Sequence, residues 1–452
     1  MVCLFITVTS FAIILPNGQD ANVKSFKETN GFIEEIVLAT PIQISTACGD
    51  FTMNGGSTIS FYENGNIKKL IFSEVFDVKT PCGILKVIAS KETPMQFYES
   101  GNLKQILVFG VSPVQIETPI GTMKCRQKKP LTFYENGNVE SFYPSYNQSI
   151  SFFPGAQFYD ANILSFYQNG NVKEFTPTTV PESLKAQIKP KMPIGLTETG
   201  SIASFVPVDG TTITINETTF ILYSGQPLEF YENKNYKKFT IDCTGKDFSI
   251  GGTLFSSVSA DNIKKVKSGD PLLDMHKEGA TLSLSNSQQN DGTKPQIVMF
   301  ELYENGNLKS ARIFSSYKTA ENFTCQYDND FLSAAEIILY ENGVLNEISY
   351  SPALQINSEK DKYTSYKFWK SYYNPEGKEI CRIGAENKVS PQGSFYSTSE
   401  TALFFVTDGK ITRTITAKVS ATSKVFFDST YKPIAYTVSA GGNKPMIKKD
   451  ID

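Results

Sequence analysis

The sequence predicts an all-β protein of tandem β-hairpin repeats stacked into an elongated twisted sheet or solenoid, with a β-propeller as the alternative. Three observations predict it. The tract Phe61-Tyr62-Glu63-Asn64-Gly65-Asn66 returns at Phe97 and at Phe133, 36 residues apart each time. Each copy joins two β-prone runs through Asn-Gly or Ser-Gly, a strong short-range hairpin signal. The 452 residues hold 33 Phe and 22 Tyr, a composition that favours strands.

The first element is ambiguous. Val2 to Leu15 is mostly apolar and has two readings, the h-region of a secretory signal or a strand. It lacks a basic n-region and an Ala-x-Ala site, and Ile14-Leu15-Pro16-Asn17-Gly18 resembles the repeated tract, which favours a truncated first repeat. Localisation follows that choice: extracytoplasmic or cell-surface with a signal, cytoplasmic without one. No other stretch approaches the ~18 apolar residues of a membrane helix.

The regular copies follow at Phe61, Phe97 and Phe133, and then the motif drifts. Phe166-Tyr167-Gln168-Asn169-Gly170-Asn171 keeps it, while Leu196-Thr197-Glu198-Thr199-Gly200-Ser201 loses both aromatics. Phe230-Tyr231-Glu232-Asn233-Lys234-Asn235 loses the Gly, which predicts a different turn there, because the positive φ is costly for Lys. Leu302-Tyr303 and Leu339-Tyr340 restore the Gly, and weaker echoes lie at Tyr373 and Phe405. The register stays open. A two-residue turn pairs Tyr62 with Ile67, and a three-residue loop with a Gly bulge pairs Phe61 with Ile67. The choice swaps faces.

A second element lies between hairpins. Thr80-Pro81-Cys82-Gly83 matches Thr118-Pro119-Ile120-Gly121 and reads as a turn, and Thr40-Pro41-Ile42 begins similarly. One unit is thus two hairpins over about 36 residues. Residues 181–192 can hold one short helical turn. The expected divisions are a hairpin array over 1–266, a polar insertion or long loop over 267–295, further hairpins over 296–350, and divergent repeats or a C-terminal cap over 351–452.

Composition excludes several function classes. Lys+Arg number 43 and Asp+Glu 46, so no basic excess exists to drive nucleic-acid binding. The lysines after the turn, Lys68, Lys104, Lys173 and Lys309, read as a solvated row. The seven cysteines are scattered without a Cys-x-x-Cys pair, which argues against a zinc site or a disulfide framework and leaves one inter-repeat disulfide open. The one histidine, His276, sits in the polar insertion, so triads and His-based metal sites lack partners. No cofactor is expected. The repeated Glu63, Glu99, Glu135, Glu232, Glu304 and Glu341 read as solvated edge charges. The row Tyr62, Tyr98, Tyr134, Tyr167, Tyr231, Tyr303 and Tyr340 is the candidate binding feature, set against a role as the packing ladder between hairpins.

At Phe-Tyr-Glu-Asn-Gly-Asn-Leu-Lys the chain resembles the variant MORN-type repeats of bacterial proteins, including YwqK-like antitoxins. The resemblance covers some ten residues per copy, from Phe61 to Lys410. The stride here is longer, and the MORN Gly-x-Gly and Trp positions are absent. The resemblance implies a β-hairpin sheet used for scaffolding or binding, with no catalytic residues. The expected function is therefore a non-enzymatic scaffold presenting an extended β surface to a protein or glycan. The alternatives are a toxin-neutralising immunity protein, and a glycan-active enzyme with its site in the insertion or cap.

Overall fold

In the computed structural model the chain is built almost wholly of β-strands. Among the described residues the helical element is the single 3-10 turn Glu182–Leu184, inside the 181–192 segment. The structure describes residues 10–451 apart from 111–112, 146–147, 159–161, 216, 243–247, 251–252, 257–280, 286–296, 314–321, 328–329, 358–363, 389–397, 408–409, 421 and 439–446. His276 and most of the predicted insertion lie outside the described residues. Within that insertion Thr281–Ser285 is a strand, paired parallel with Thr253–Ser256 and antiparallel with Asn322–Tyr327. Contacts divide the chain into two compact units, Met1–Val206 and Pro207–Asp452. No described helix is long and apolar enough to cross a membrane.

The first unit is an antiparallel meander. Its spine runs through Phe11–Ile14, Asp20–Thr29, Phe32–Leu38, Thr58–Phe61, Ile67–Thr80, Met95–Phe97, Leu103–Val108, Pro130–Phe133, Val139–Phe142, Leu164–Phe166, Val172–Phe175, Ile194–Leu196 and Ile202–Phe205. Each strand bonds to the next. A propeller would break this into separate blades, and no such break occurs in the unit.

Beside the spine sit side hairpins, formed by Ile42–Thr46 with Gly49–Met53, by the distal half of Ile67–Thr80 with Gly83–Ala89, and by Val114–Thr118 with Gly121–Cys125. Their tips share one device. The hydroxyls of Thr46, Thr80 and Thr118 donate to the carbonyls of Gly49, Gly83 and Gly121 at 3.1, 2.7 and 2.6 Å. The first tip is Thr46-Ala47-Cys48-Gly49, whereas Thr40-Pro41 only leads into a strand. The sequence match was misplaced because Ala47 stands where the later tips have Pro. The second and third tips seat on glycines of main turns further along. A Cβ on Gly137 would lie 3.5 Å from Pro81 Cγ, and one on Gly170 would lie 3.0 Å from Pro119 Cβ.

The open register resolves to the bulged form. Phe61 pairs with Ile67, the Tyr62 amide donates to the Asn66 carbonyl at 2.8 Å, and the Gly65 amide donates to the Tyr62 carbonyl at 2.9 Å. Gly65 has φ +87°, the left-handed value that a three-residue loop with a Gly bulge requires. The different turn expected at Lys234 does not occur. Lys234 takes φ +68° and donates to the Tyr231 carbonyl at 2.9 Å, as a glycine would. Flanking strands impose the turn, so the residue carries the strain. A further copy, not legible as one, lies at Asp428–Lys432. There the Tyr431 amide donates to Asp428, and Tyr431 sits at φ +60°.

One face of this spine is apolar. Ile59, Phe61, Leu70, Phe72, Met95, Phe97, Leu131, Phe133, Leu164 and Phe166 are all buried. Fully burying such a side chain contributes about 1.5–3 kcal/mol. The side hairpins lie against this face: the Phe72 ring meets Phe76 at 4.8 Å, and Phe76 meets Phe51 of the first side hairpin at 5.4 Å. The opposite face is polar. Cross-strand pairing links Ser60, Lys69, Gln96, Gln105, Thr132, Ser141, Ser165 and Glu174 in one unbroken row. Directly paired residues share a face, so this alternation places Phe and Leu on one side and Ser, Thr and Gln on the other.

In the second unit the sheet runs from Thr212–Ile215 through Tyr236–Asp242, Ile297–Leu302 and Leu308–Ile313 to the long strands Asp330–Leu339, Leu345–Asn357, Thr364–Tyr373, Glu379–Lys388 and Thr398–Thr407. Here both faces are covered. Tyr372, Cys381, Ile383 and Leu403 pack against Val425, Tyr436 and Val438 of the three-stranded sheet Val425–Phe427, Pro433–Val438, Ile447–Asp450. Phe368, Ala402 and Phe404 form a second cluster. Two charged side chains that enter this region are paired. Lys370 meets Glu347 at 2.6 Å, and the Arg382 guanidinium holds Glu379 while lying 4.7 Å over the Phe368 ring.

Candidate functional site: the tyrosine ladder and the polar face

The structure gives each position of the repeated tract a separate task. The Phe side chain is buried, as at Phe61, Phe97 and Phe133. The Tyr that follows reaches the main chain of the next main hairpin. Tyr62 donates to the Phe97 carbonyl at 2.9 Å, Tyr98 to Phe133 at 2.9 Å, Tyr134 to Phe166 at 2.7 Å and Tyr167 to Leu196 at 2.8 Å. In the second unit Tyr231 donates to Leu302 at 2.7 Å, Tyr303 to Leu339 at 2.7 Å and Tyr340 to Tyr373 at 2.8 Å. All seven candidate tyrosines thus occupy the same rung of one ladder design, with the hydroxyl committed inside the protein. Burial pushes the hydroxyls of Tyr62, Tyr98, Tyr134, Tyr231, Tyr303 and Tyr340 above the usual phenol range, that of Tyr340 to about 12.

Two asparagines flank the glycine and do different work. The first caps the turn: Asn64 Oδ1 accepts the Asn66 amide at 2.9 Å, and Asn136, Asn169 and Asn305 repeat this at 3.0, 2.9 and 2.9 Å. The second adds a rung. Asn66 Nδ2 donates to the Glu99 carbonyl at 2.8 Å, Asn102 to Glu135 at 3.0 Å, Asn138 to Gln168 at 2.8 Å and Asn171 to Glu198 at 2.6 Å. Asn235 and Asn307 do the same to Glu304 and Glu341, both at 3.1 Å. Glu99, Glu135, Glu304 and Glu341 thus serve through their backbone carbonyls, and the Glu341 carboxylate also accepts from Asn305 Nδ2 at 3.0 Å. Glu63, Glu99, Glu135, Glu232, Glu304 and Glu341 are exposed.

The lysines are not a merely solvated row. From Phe61 onward strand pairing after the motif turns skips one residue: Lys68, Lys104, Glu140, Lys173 and Ala203 in the first unit. In the second it skips Lys237, Lys309, Asn346, Ile380, Thr412 and Ile434. Such a bulge re-aims a side chain. Lys68, Lys104, Lys173, Lys237 and Lys309 use it to place the ammonium 5.3, 5.2, 5.8, 5.8 and 5.9 Å from the centroid of the ladder Tyr of their own hairpin. A cation over an aromatic face contributes roughly 0.5–1 kcal/mol at exposed sites. The sequence signal for both the second Asn and the Lys was their fixed offset from the glycine. That offset was legible as spacing and silent about partner.

No group of acidic, His or Cys side chains among the described residues could hold a metal ion. The described cysteines Cys48, Cys82, Cys125 and Cys381 are free and buried, and burial raises their thiols to about 11, 12, 12 and 12. The surface left with unspent hydrogen-bonding capacity of mixed sign is the polar row of the first unit. Its residues are half-buried except Ser60, which is buried, and Glu35, paired with Ser60, which is exposed. Ser60 donates to Glu35 at 3.1 Å, and Thr132 shares a hydrogen bond with Ser141 at 2.7 Å.

No known family matches the chain, and no curated protein does. Two solved structures are similar to it at a low level. One is a complex of TcdB2, TccC3 and Cdc42, with 10% identity and a TM-score of 0.12, covering 93% of this chain and 17% of that one. The other is a Tc holotoxin pore of Photorhabdus luminescens, with 9% identity and a TM-score of 0.11, covering 92% and 19%. The chain spans under a fifth of the length of either, and likenesses this slight bear on neither fold nor function.

Proposed function

We propose that this protein is a non-enzymatic repeat scaffold whose polar sheet face binds an extended, hydroxyl-rich partner of the glycan class. One observation carries the reading: the unbroken cross-strand row from Ser60 to Glu174, opposite the face on which the side hairpins pack. Adjacent strands stand about 4.8 Å apart, so this row offers a donor or acceptor at a near-constant short interval. Its members are mostly neutral, which suits hydroxyl groups better than a polyanion. The tyrosines support the reading indirectly, because their hydroxyls tie each main hairpin to the next.

A glycan array probed with the whole chain tests this. The expected result is binding to linear neutral glycans that falls at least tenfold in the double variant Gln96→Ala/Gln105→Ala with the thermal midpoint kept. Binding that survives the double variant, or capture of protein ligands only, overturns the glycan reading.

A further inference from the structure

The sequence contains Asn-Gly eight times, at Asn17, Asn30, Asn54, Asn64, Asn136, Asn169, Asn305 and Asn342. Asn-Gly is the dipeptide most open to spontaneous cyclisation, since glycine puts no side chain in the way of the approaching carboxamide. The eight copies are chemically identical in an unfolded chain. The fold makes them unequal.

In six of them the glycine amide proton is already held. Gly18 donates to Leu15 at 2.8 Å, and Gly65, Gly137, Gly170, Gly306 and Gly343 donate to the preceding ladder Tyr carbonyl at 2.9 Å. In the same six the Asn Oδ1 accepts an amide two residues on, between 2.9 and 3.2 Å. At Asn54 the carboxamide itself is held, with Nδ2 donating to Glu74 Oε1 at 2.7 Å. Asn30 differs. It forms with Gly31 a two-residue turn between the paired Thr29 and Phe32, with φ +53° and +79°, and both residues are exposed. In a turn of this type the amide of the second central residue points to solvent.

We propose that Asn30-Gly31 is the site of spontaneous deamidation in the folded protein, that turn hydrogen bonds shield six of the other Asn-Gly pairs, and that the contact with Glu74 shields Asn54. Solvent base removes the Gly31 amide proton. The nitrogen attacks Asn30 Cγ, a C–N bond forms, and the side-chain nitrogen leaves as ammonia after taking up a proton. Water then opens the succinimide ring at either carbonyl and yields aspartate or isoaspartate, with no change in oxidation state. Where the amide proton is bonded to a Tyr carbonyl, its removal first costs that hydrogen bond.

Peptide mapping by mass spectrometry tests the assignment. The full chain is incubated in mildly alkaline buffer, folded and in denaturant. In the folded sample the Asn30 peptide should acquire the amide-to-acid mass shift at least tenfold faster than the peptides of Asn64, Asn136 and Asn305. In denaturant the four should convert at comparable rates. Equal rates in the folded sample, or an Asn30 peptide slower than the ladder peptides, overturn the proposal. In the variant Asn30→Asp the Asn64, Asn136 and Asn305 peptides should convert in the folded sample as slowly as before. A rise to the rate seen in denaturant would show that their shielding does not come from their own turns, and would overturn the proposal.

Discussion

The Tyr98 hydroxyl donates to the Phe133 carbonyl at 2.9 Å, across 35 residues of sequence. The same bond recurs across 29 residues from Tyr167 and across 71 from Tyr231. The ladder step is therefore independent of the loop length between hairpins. Removing one hydroxyl leaves a buried carbonyl short of a donor. Tyr98→Phe should lower unfolding free energy by about 1 kcal/mol. Tyr98→Ala should cost about 3 kcal/mol, because ring packing and the Lys104 contact go too. Urea unfolding followed by circular dichroism measures both, and an unchanged stability in Tyr98→Phe would mean the hydroxyl carries none of the effect.

Lys234 holds a left-handed backbone in a turn shared with glycines. That conformation costs a side-chain-bearing residue roughly 1–2 kcal/mol. Lys234→Gly should raise the urea midpoint, with part of the gain offset by the greater freedom of glycine in the unfolded chain. A lower midpoint would contradict the strain.

The raised tyrosine hydroxyls predict alkaline sensitivity. A folded pKa above the unfolded value near 10 means the folded state holds its protons longer. The associated stability is complete below about pH 10 and is lost as pH rises through the folded values, near 12 for Tyr340. Unfolding midpoints should be flat from neutral to mildly alkaline pH and then fall. Spectrophotometric titration of tyrosinate should coincide with that loss. Ionisation without loss of structure would separate the two.

The buried thiols of Cys48, Cys82, Cys125 and Cys381, all raised, should resist alkylation in the native state and react in denaturant. Mass mapping after a short iodoacetamide pulse counts them site by site.

Residues 97–132 span one stride. Their removal brings the Tyr62 hydroxyl to face the Phe133 carbonyl in place of Phe97, and the acceptor is again main chain. The shortened chain should fold with a β-sheet dichroism spectrum. An unfolded product would show that the repeats are not interchangeable.

Much of the fold was legible because turn chemistry is local. Asn-Gly with flanking Phe and Leu specified hairpins, and the open choice of register lay one residue apart. The structure chose the bulged form since Phe61 and Ile67 must share the buried face. Misreadings came where context overrode local preference. Lys234 was expected to change its turn and did not, and the turn at Asp428–Lys432 was missed because Tyr431 stands in the glycine position. The candidate site was legible as a row of tyrosines. Where the hydroxyls go was not, because a carbonyl acceptor leaves no mark in sequence.

That last point governs how such a chain can change over generations. Every rung runs from a side chain of one hairpin to bare main chain of a later one, so the recipient needs no particular residue to be captured. Leu196 accepts from Tyr167 although its own hairpin has lost both aromatics. Newly duplicated segments can thus lose their motif, lengthen or take on insertions and still be fastened by the older neighbour upstream.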